Sequence, residues 1–180
     1  MSDGCENPWR TWYEAAGRPA VDAALGDLYQ RLADEIEQRG PTCWISGRCC
    51  NFDDYGHRLY VTGLEAAWMW RYLDDAARQR LVDADDPANG SGCPFQIDRL
   101  CSVHALRPLG CRIFFCDPGA RDWQNPVYER LLNALRQLHE QHDLAYRYLE
   151  WRQALAAVRS QLADGVKPAA DDAGRTSGLQ

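Results

Sequence analysis

Cys93-Pro-Phe-Gln-Ile-Asp-Arg-Leu-Cys-Ser-Val-His-Ala-Leu-Arg-Pro-Leu-Gly-Cys-Arg-Ile-Phe-Phe-Cys116 is the stretch around which the rest of the chain is read. Its four thiols, Cys93, Cys101, Cys111 and Cys116, are separated by seven, nine and four residues. Upstream stand Cys43 and the adjacent pair Cys49-Cys50, so seven of the eight cysteines fall between positions 43 and 116, and only Cys5 lies outside. We read this clustering as a set of loops gathered around a metal ion or an iron–sulfur cluster, with helices as the scaffold.

Soft thiolates bind zinc, copper(I) and iron–sulfur clusters, and both zinc and a cubane cluster take four protein ligands. The spacing is wider than in zinc ribbons, which use two Cys-x-x-Cys knuckles; no such knuckle occurs here. Two plainer readings compete. Buried cysteines pack as small apolar residues, and an even total of eight also suits disulfides. Adjacent cysteines point apart in extended backbone, so Cys49 and Cys50 reach one centre only where the chain bends.

A chain of 180 residues is about one domain, long enough to bury a core without covalent staples. Net charge of -6 argues against a general nucleic-acid binder, because that affinity rests on neutralising phosphates. Arginine is favoured so strongly that Lys167 is the one lysine. The N-terminus lacks a basic region followed by an apolar run, so no secretory signal is read there. No apolar stretch approaches the roughly 20 residues of a membrane-spanning helix. The expected compartment is therefore the reducing cytoplasm, where clustered cysteines bind metal more often than they form disulfides.

Outside the cysteines the pattern is helical, and the expected fold is mainly α with short strands. Trp9, Trp12 and Tyr13 suggest an N-terminal segment packed onto the body. Val21, Leu25, Leu28, Leu32 and Ile36 follow helical spacing up to Gly40-Pro41. Leu59-Tyr60-Val61 reads as a short strand, and Thr62-Gly-Leu-Glu65 as a capping box opening a helix through Tyr72. A second helix is expected near 74–84, and Trp68, Trp70 and Tyr72 are most simply core. Asn125-Pro126 reads as an N-cap and first helical residue for the stripe Val127, Leu131, Leu135, Leu138. Leu144–Leu149 reads as extended, and Trp151 to Leu162 as a last amphipathic helix ending at Gly165. Residues 1–165 would form one cysteine-cluster domain, with the metal motif at 43–116, and residues 166–180 a disordered tail.

The ordered set Cys49, Cys50, Cys93-Pro94-Phe95, Cys101 (with His104 three residues on), Arg107-Pro108 and Cys111-Arg112 resembles the YkgJ-like cysteine-cluster family, described as zinc- or iron-chelating. Flagellin lysine N-methylase carries a similar cysteine motif. The resemblance covers roughly residues 43–116, and Cys43 stands where family members place a further cysteine before the pair. It implies zinc or an iron–sulfur cluster, [4Fe-4S] among the choices, and fixes no reaction. The expected ligands are Cys49, Cys50, Cys93, Cys101, Cys111 and Cys116, with Cys43 as a further candidate. Arg107 and Arg112 are candidate cofactor-binding residues, since guanidinium groups offset the negative charge of a thiolate-rich centre; their plain alternative is surface ion pairing. His104 is a ligand candidate or, more simply, a histidine satisfied by the fold, while His139 and His142 read as surface residues. An enzyme using the cluster, methyltransferase-like or redox, and a protein handling zinc or iron at a labile site are the alternatives to plain metal binding.

Overall fold

The computed structural model describes residues 7–163. The expected helix end at Gly165 and the tail at 166–180 lie outside the described residues. The protein is mainly helical, with two very small sheets.

Asn7 caps α1 (Pro8–Ala16) by accepting a 3.1 Å hydrogen bond from the Trp9 amide. Helix α2 (Pro19–Arg39) buries Val21, Leu25, Leu28 and Leu32 and stops at Gly40, whose φ of 61° suits a residue without a Cβ. Strand β1 (Tyr60–Thr62) leads straight into α4 (Gly63–Tyr72), after the short α3 (Phe52–Tyr55). The capping box is formed as expected: the Glu65 amide donates to Thr62 Oγ1, and the Thr62 amide donates to Glu65 Oε2 at 2.9 Å. Helix α5 (Asp75–Asp83) follows, then the hairpin β2 (Gln96–Ile97) and β3 (Leu100–Cys101) and the short α6 (Leu109–Ile113). The second half comprises α7 (Arg121–Gln141), β4 (Tyr148–Glu150) and α8 (Trp151–Ala163).

One core unites these elements. Helix α4 runs along α1 and also meets α8; α2 packs on α7 and α5 on α8. Strands β1 and β4 pair antiparallel, Tyr60 opposite Glu150 and Thr62 opposite Tyr148. Each strand feeds directly into a helix, so one ladder fixes where α4 and α8 both begin. Trp12 is almost wholly buried, its indole N–H donating to the Ala145 carbonyl at 2.9 Å. Trp68 and Trp70 are core residues as expected, and the Trp68 indole donates to Asp22.

Two expectations are corrected. Pro126 does not open a helix; α7 already begins at Arg121, and the proline sits inside it. A 3₁₀ turn at Pro118–Ala120 feeds the helix earlier, and the buried Gln124 side chain accepts from the Phe115 amide at 3.0 Å, which ties the first turns down. The ring then costs one backbone hydrogen bond near the N-terminal end, where that loss is tolerated best. His139 is not a surface residue: it is fully buried on α7, facing the Ala145 carbonyl.

Helices α1 and α4 pack closely, and a Cβ on Gly63 would drive into the Trp12 ring. Because that ring is held on all sides, Gly63→Ala should cost about 1–3 kcal/mol. The effect should be read as a lower urea midpoint at unchanged slope. Parental stability in this variant would mean that the two helices are not in contact there.

Candidate metal centre

Six cysteines from separate parts of the chain line one cavity of about 510 Å³: Cys49, Cys50, Cys93, Cys101, Cys111 and Cys116. Cys43 is exposed and does not line it. All seven described cysteines are free thiols.

The backbone explains the convergence. Gly47 takes a φ of 74°, and a Cβ there would meet Gln96 Nε2 at 2.7 Å. Only glycine fits both demands. The turn it begins, a single 3₁₀ turn over Arg48–Cys50, bends the chain so that the Cys49 and Cys50 sulfurs come within 3.9 Å. Gln96 donates to the Gly47 carbonyl at 2.8 Å, tying this turn to β2. Cys93 donates its amide to the Cys50 carbonyl at 2.8 Å, and Phe52 donates to the Ser91 carbonyl, so segments 50–52 and 91–93 are zipped together. The hairpin then carries Cys101 on β3, and α6 carries Cys111.

The position of α6 is set from below. Glu65, buried behind the cavity, accepts from the Leu109 amide at 2.8 Å and from the Tyr29 hydroxyl at 3.2 Å. Arg112 lies over the Tyr29 ring, 4.1 Å from its centroid, and donates to the Arg107 and Ala105 carbonyls. Arg112 is thus part of the support and is not on the cavity wall, whereas Arg107 is on it. Cys116 closes the far side, its sulfur 3.6 Å from Ser46 Oγ, and the Trp151 indole N–H donates to the Cys93 sulfur at 3.5 Å.

Electrostatics follow from this crowding. Contact with the Cys50 sulfur, then burial, pushes the Cys49 thiol up. The same contact lowers Cys50, but the Cys93 sulfur and burial outweigh it and push Cys50 up to about 12. Burial raises Cys101 and, more strongly, Cys111, where the Cys50 sulfur adds to the effect. The Arg107 guanidinium opposes the rise at Cys49, Cys101 and Cys111. Metal-free, these thiols hold their protons at neutral pH, and a bound cation would displace them.

The wall carries Arg48, Arg58, Arg107 and His57 and no Asp or Glu, in a chain with 26 acidic residues. Among the described residues no group of three or more His, Cys, Asp or Glu is set to hold a metal ion. The thiols are distributed around a space rather than aimed at one point. His104 is exposed and off the wall. His57, Arg58, Tyr60, Tyr128 and Tyr148 do line it, and sequence reading passed over them as site residues. No motif in the sequence set them apart: Arg58, Leu59 and Tyr60 are consecutive, and all three line the wall.

The chain matches no known family profile, no curated protein and no solved structure. No helix among the described residues is long and apolar enough to cross a membrane.

Proposed function

We propose that the chain is a metal-binding protein that holds an iron–sulfur cluster through thiolates on the wall of this cavity, the cluster being one of the two centres, with zinc, that the YkgJ-like resemblance implies. The observation that supports the reading is the arrival of six thiols from distant segments at one cavity that lacks carboxylates and carries three guanidinium groups. A thiolate-ligated centre is anionic, and such a wall offsets its charge. Thiols spread around about 510 Å³ suit a multi-atom cluster better than a single ion. The donor set is soft throughout, which is the chemistry an iron–sulfur centre requires. When bound, the cluster would supply redox or Lewis-acid chemistry, and the chain would contribute ligation by cysteine and charge balance by Arg107. Free thiols in such number fit a reducing compartment, the cytoplasm.

Zinc is the second reading, favoured by one distance. A tetrahedral zinc–thiolate site with bonds of ~2.3 Å places its sulfurs about 3.8 Å apart, close to the 3.9 Å between Cys49 and Cys50. Anaerobic purification followed by iron, zinc and acid-labile sulfide analysis separates the two. Iron with matching sulfide is the expected result; zinc without sulfide would favour the second reading. A protein that takes up neither metal, even after reconstitution with ferrous iron and sulfide, would overturn both.

A further inference from the structure

The rim of the cavity is built differently from its cysteine-lined interior. Tyr60 and Tyr148 stack across the β1–β4 ladder, ring centroids 5.3 Å apart and planes inclined by 21°. The Tyr148 hydroxyl hydrogen-bonds to that of Tyr128, and the Tyr128 ring lies 5.0 Å from Phe114. All four rings line the cavity, and Tyr60, Phe114 and Tyr148 remain 39–40% exposed. Large rings left this open beside a cavity are unsatisfied apolar surface, and aromatic partners stack on such rings in offset or edge-on geometry.

Charge is equally one-sided. Arg58, two residues before Tyr60 and also on the wall, has no hydrogen-bond or ion-pair partner for its guanidinium among the described residues. Arg107 uses Nε on the His104 carbonyl, leaving its terminal nitrogens available to the cavity. A guanidinium facing a wall without Asp or Glu is matched by an external carboxylate, which it can bind through two parallel N–H···O contacts. The whole cavity, cysteine interior and aromatic rim together, measures about 510 Å³, within the roughly 300–1,000 Å³ typical of small-molecule sites.

We propose that the mouth of this cavity is a binding site for a small aromatic carboxylate, its ring packed against Tyr60, Tyr148 and Phe114 and its carboxylate on Arg58. The inference rests on the metal-centre reading only for what occupies the cysteine side of the same cavity. It makes the cavity a two-part site, with an inorganic centre inside and an organic anion at the rim.

The test is titration of the full chain, purified anaerobically, with 2-naphthoate, 2-naphthamide and acetate, followed by calorimetry and ligand-observed NMR. Naphthoate should bind at least about tenfold more tightly than either control, one of which lacks the charge and the other the ring. Arg58→Gln and Tyr60→Leu, both at exposed positions, should each weaken naphthoate at least about tenfold, and Tyr60→Leu, which removes no charge from the wall, should leave metal content unchanged. Equal affinity for naphthoate and naphthamide, no binding at all, or full affinity in both variants would overturn the proposal. Iron, zinc and sulfide are assayed on the same samples, with and without chelation. Naphthoate binding that persists in metal-free protein upholds the rim site even if the metal centre fails.

Discussion

On the proposed thiolate centre, Cys111→Ser should abolish metal loading. Cys111 sits on the cavity wall, and the Cys50, Cys101 and Cys49 sulfurs all act on its thiol. A serine hydroxyl is a hard, weakly acidic donor and a poor replacement for a soft thiolate. Loss of groups behind a ligand already costs about 10–100-fold in metal affinity, so loss of the ligand itself should exceed that. Binding energy at a site closed by several segments is also folding energy. The loaded parent should therefore melt higher than the chelated one, and Cys111→Ser should melt at the same temperature in both states. Cys101→Ser should behave alike. Cys43→Ser, altering an exposed residue away from the wall, should retain the parental metal content. Full metal loading in both Cys101→Ser and Cys111→Ser would remove the thiolate centre from consideration.

Glu65→Ala should be strongly destabilising. Its buried carboxylate accepts from four donors: the Thr62 amide and hydroxyl, the Tyr29 hydroxyl and the Leu109 amide. The two hydroxyls can turn toward other acceptors. The two amides cannot, and each buried amide left without a partner costs about 1–3 kcal/mol. A loss of about 3 kcal/mol corresponds, for a chain of this length, to a melting temperature lower by about 6–12 °C. Burial pushes the Glu65 carboxyl up, and the four donors oppose that rise, so the residue is held by hydrogen bonds rather than by exposure. Because the Leu109 amide opens the helix that carries Cys111, Glu65→Ala should also weaken metal binding at temperatures where the chain remains folded. Glu65→Gln keeps one acceptor oxygen but turns an N–H₂ group toward two donors, and it should fall between the parent and Ala. A melting temperature unchanged in Glu65→Ala would show that α6 is not anchored from α4.

The predominance of helix and most of its boundaries were written in local patterns. Stripes at helical spacing gave α2 and α8, and Thr62 with Glu65 marked the start of α4, because the forces that form one helix act within a few residues. Pro126 misled for the same reason: as a local signal it marks a beginning, while the Gln124 contact with the Phe115 amide and the turn before it moved the start to Arg121. His139 misled because a polar residue at helical spacing looks exposed until its neighbours are known.

At the candidate site, residue type alone singled out the cysteines, since few other side chains offer a soft anionic donor. Sequence order could not say that Cys43 would be left off the wall, that Arg107 would face the cavity, or that Arg112 would lie over Tyr29 behind it. Nor could it place Tyr60 beside Tyr148, which are neighbours only because β1 and β4 pair across more than 80 residues of chain. Helix type and boundary come from interactions between near neighbours along the polypeptide. Which thiols, rings and guanidinium groups share one cavity comes from packing and hydrogen bonds between segments far apart in sequence, and only the folded chain contains those.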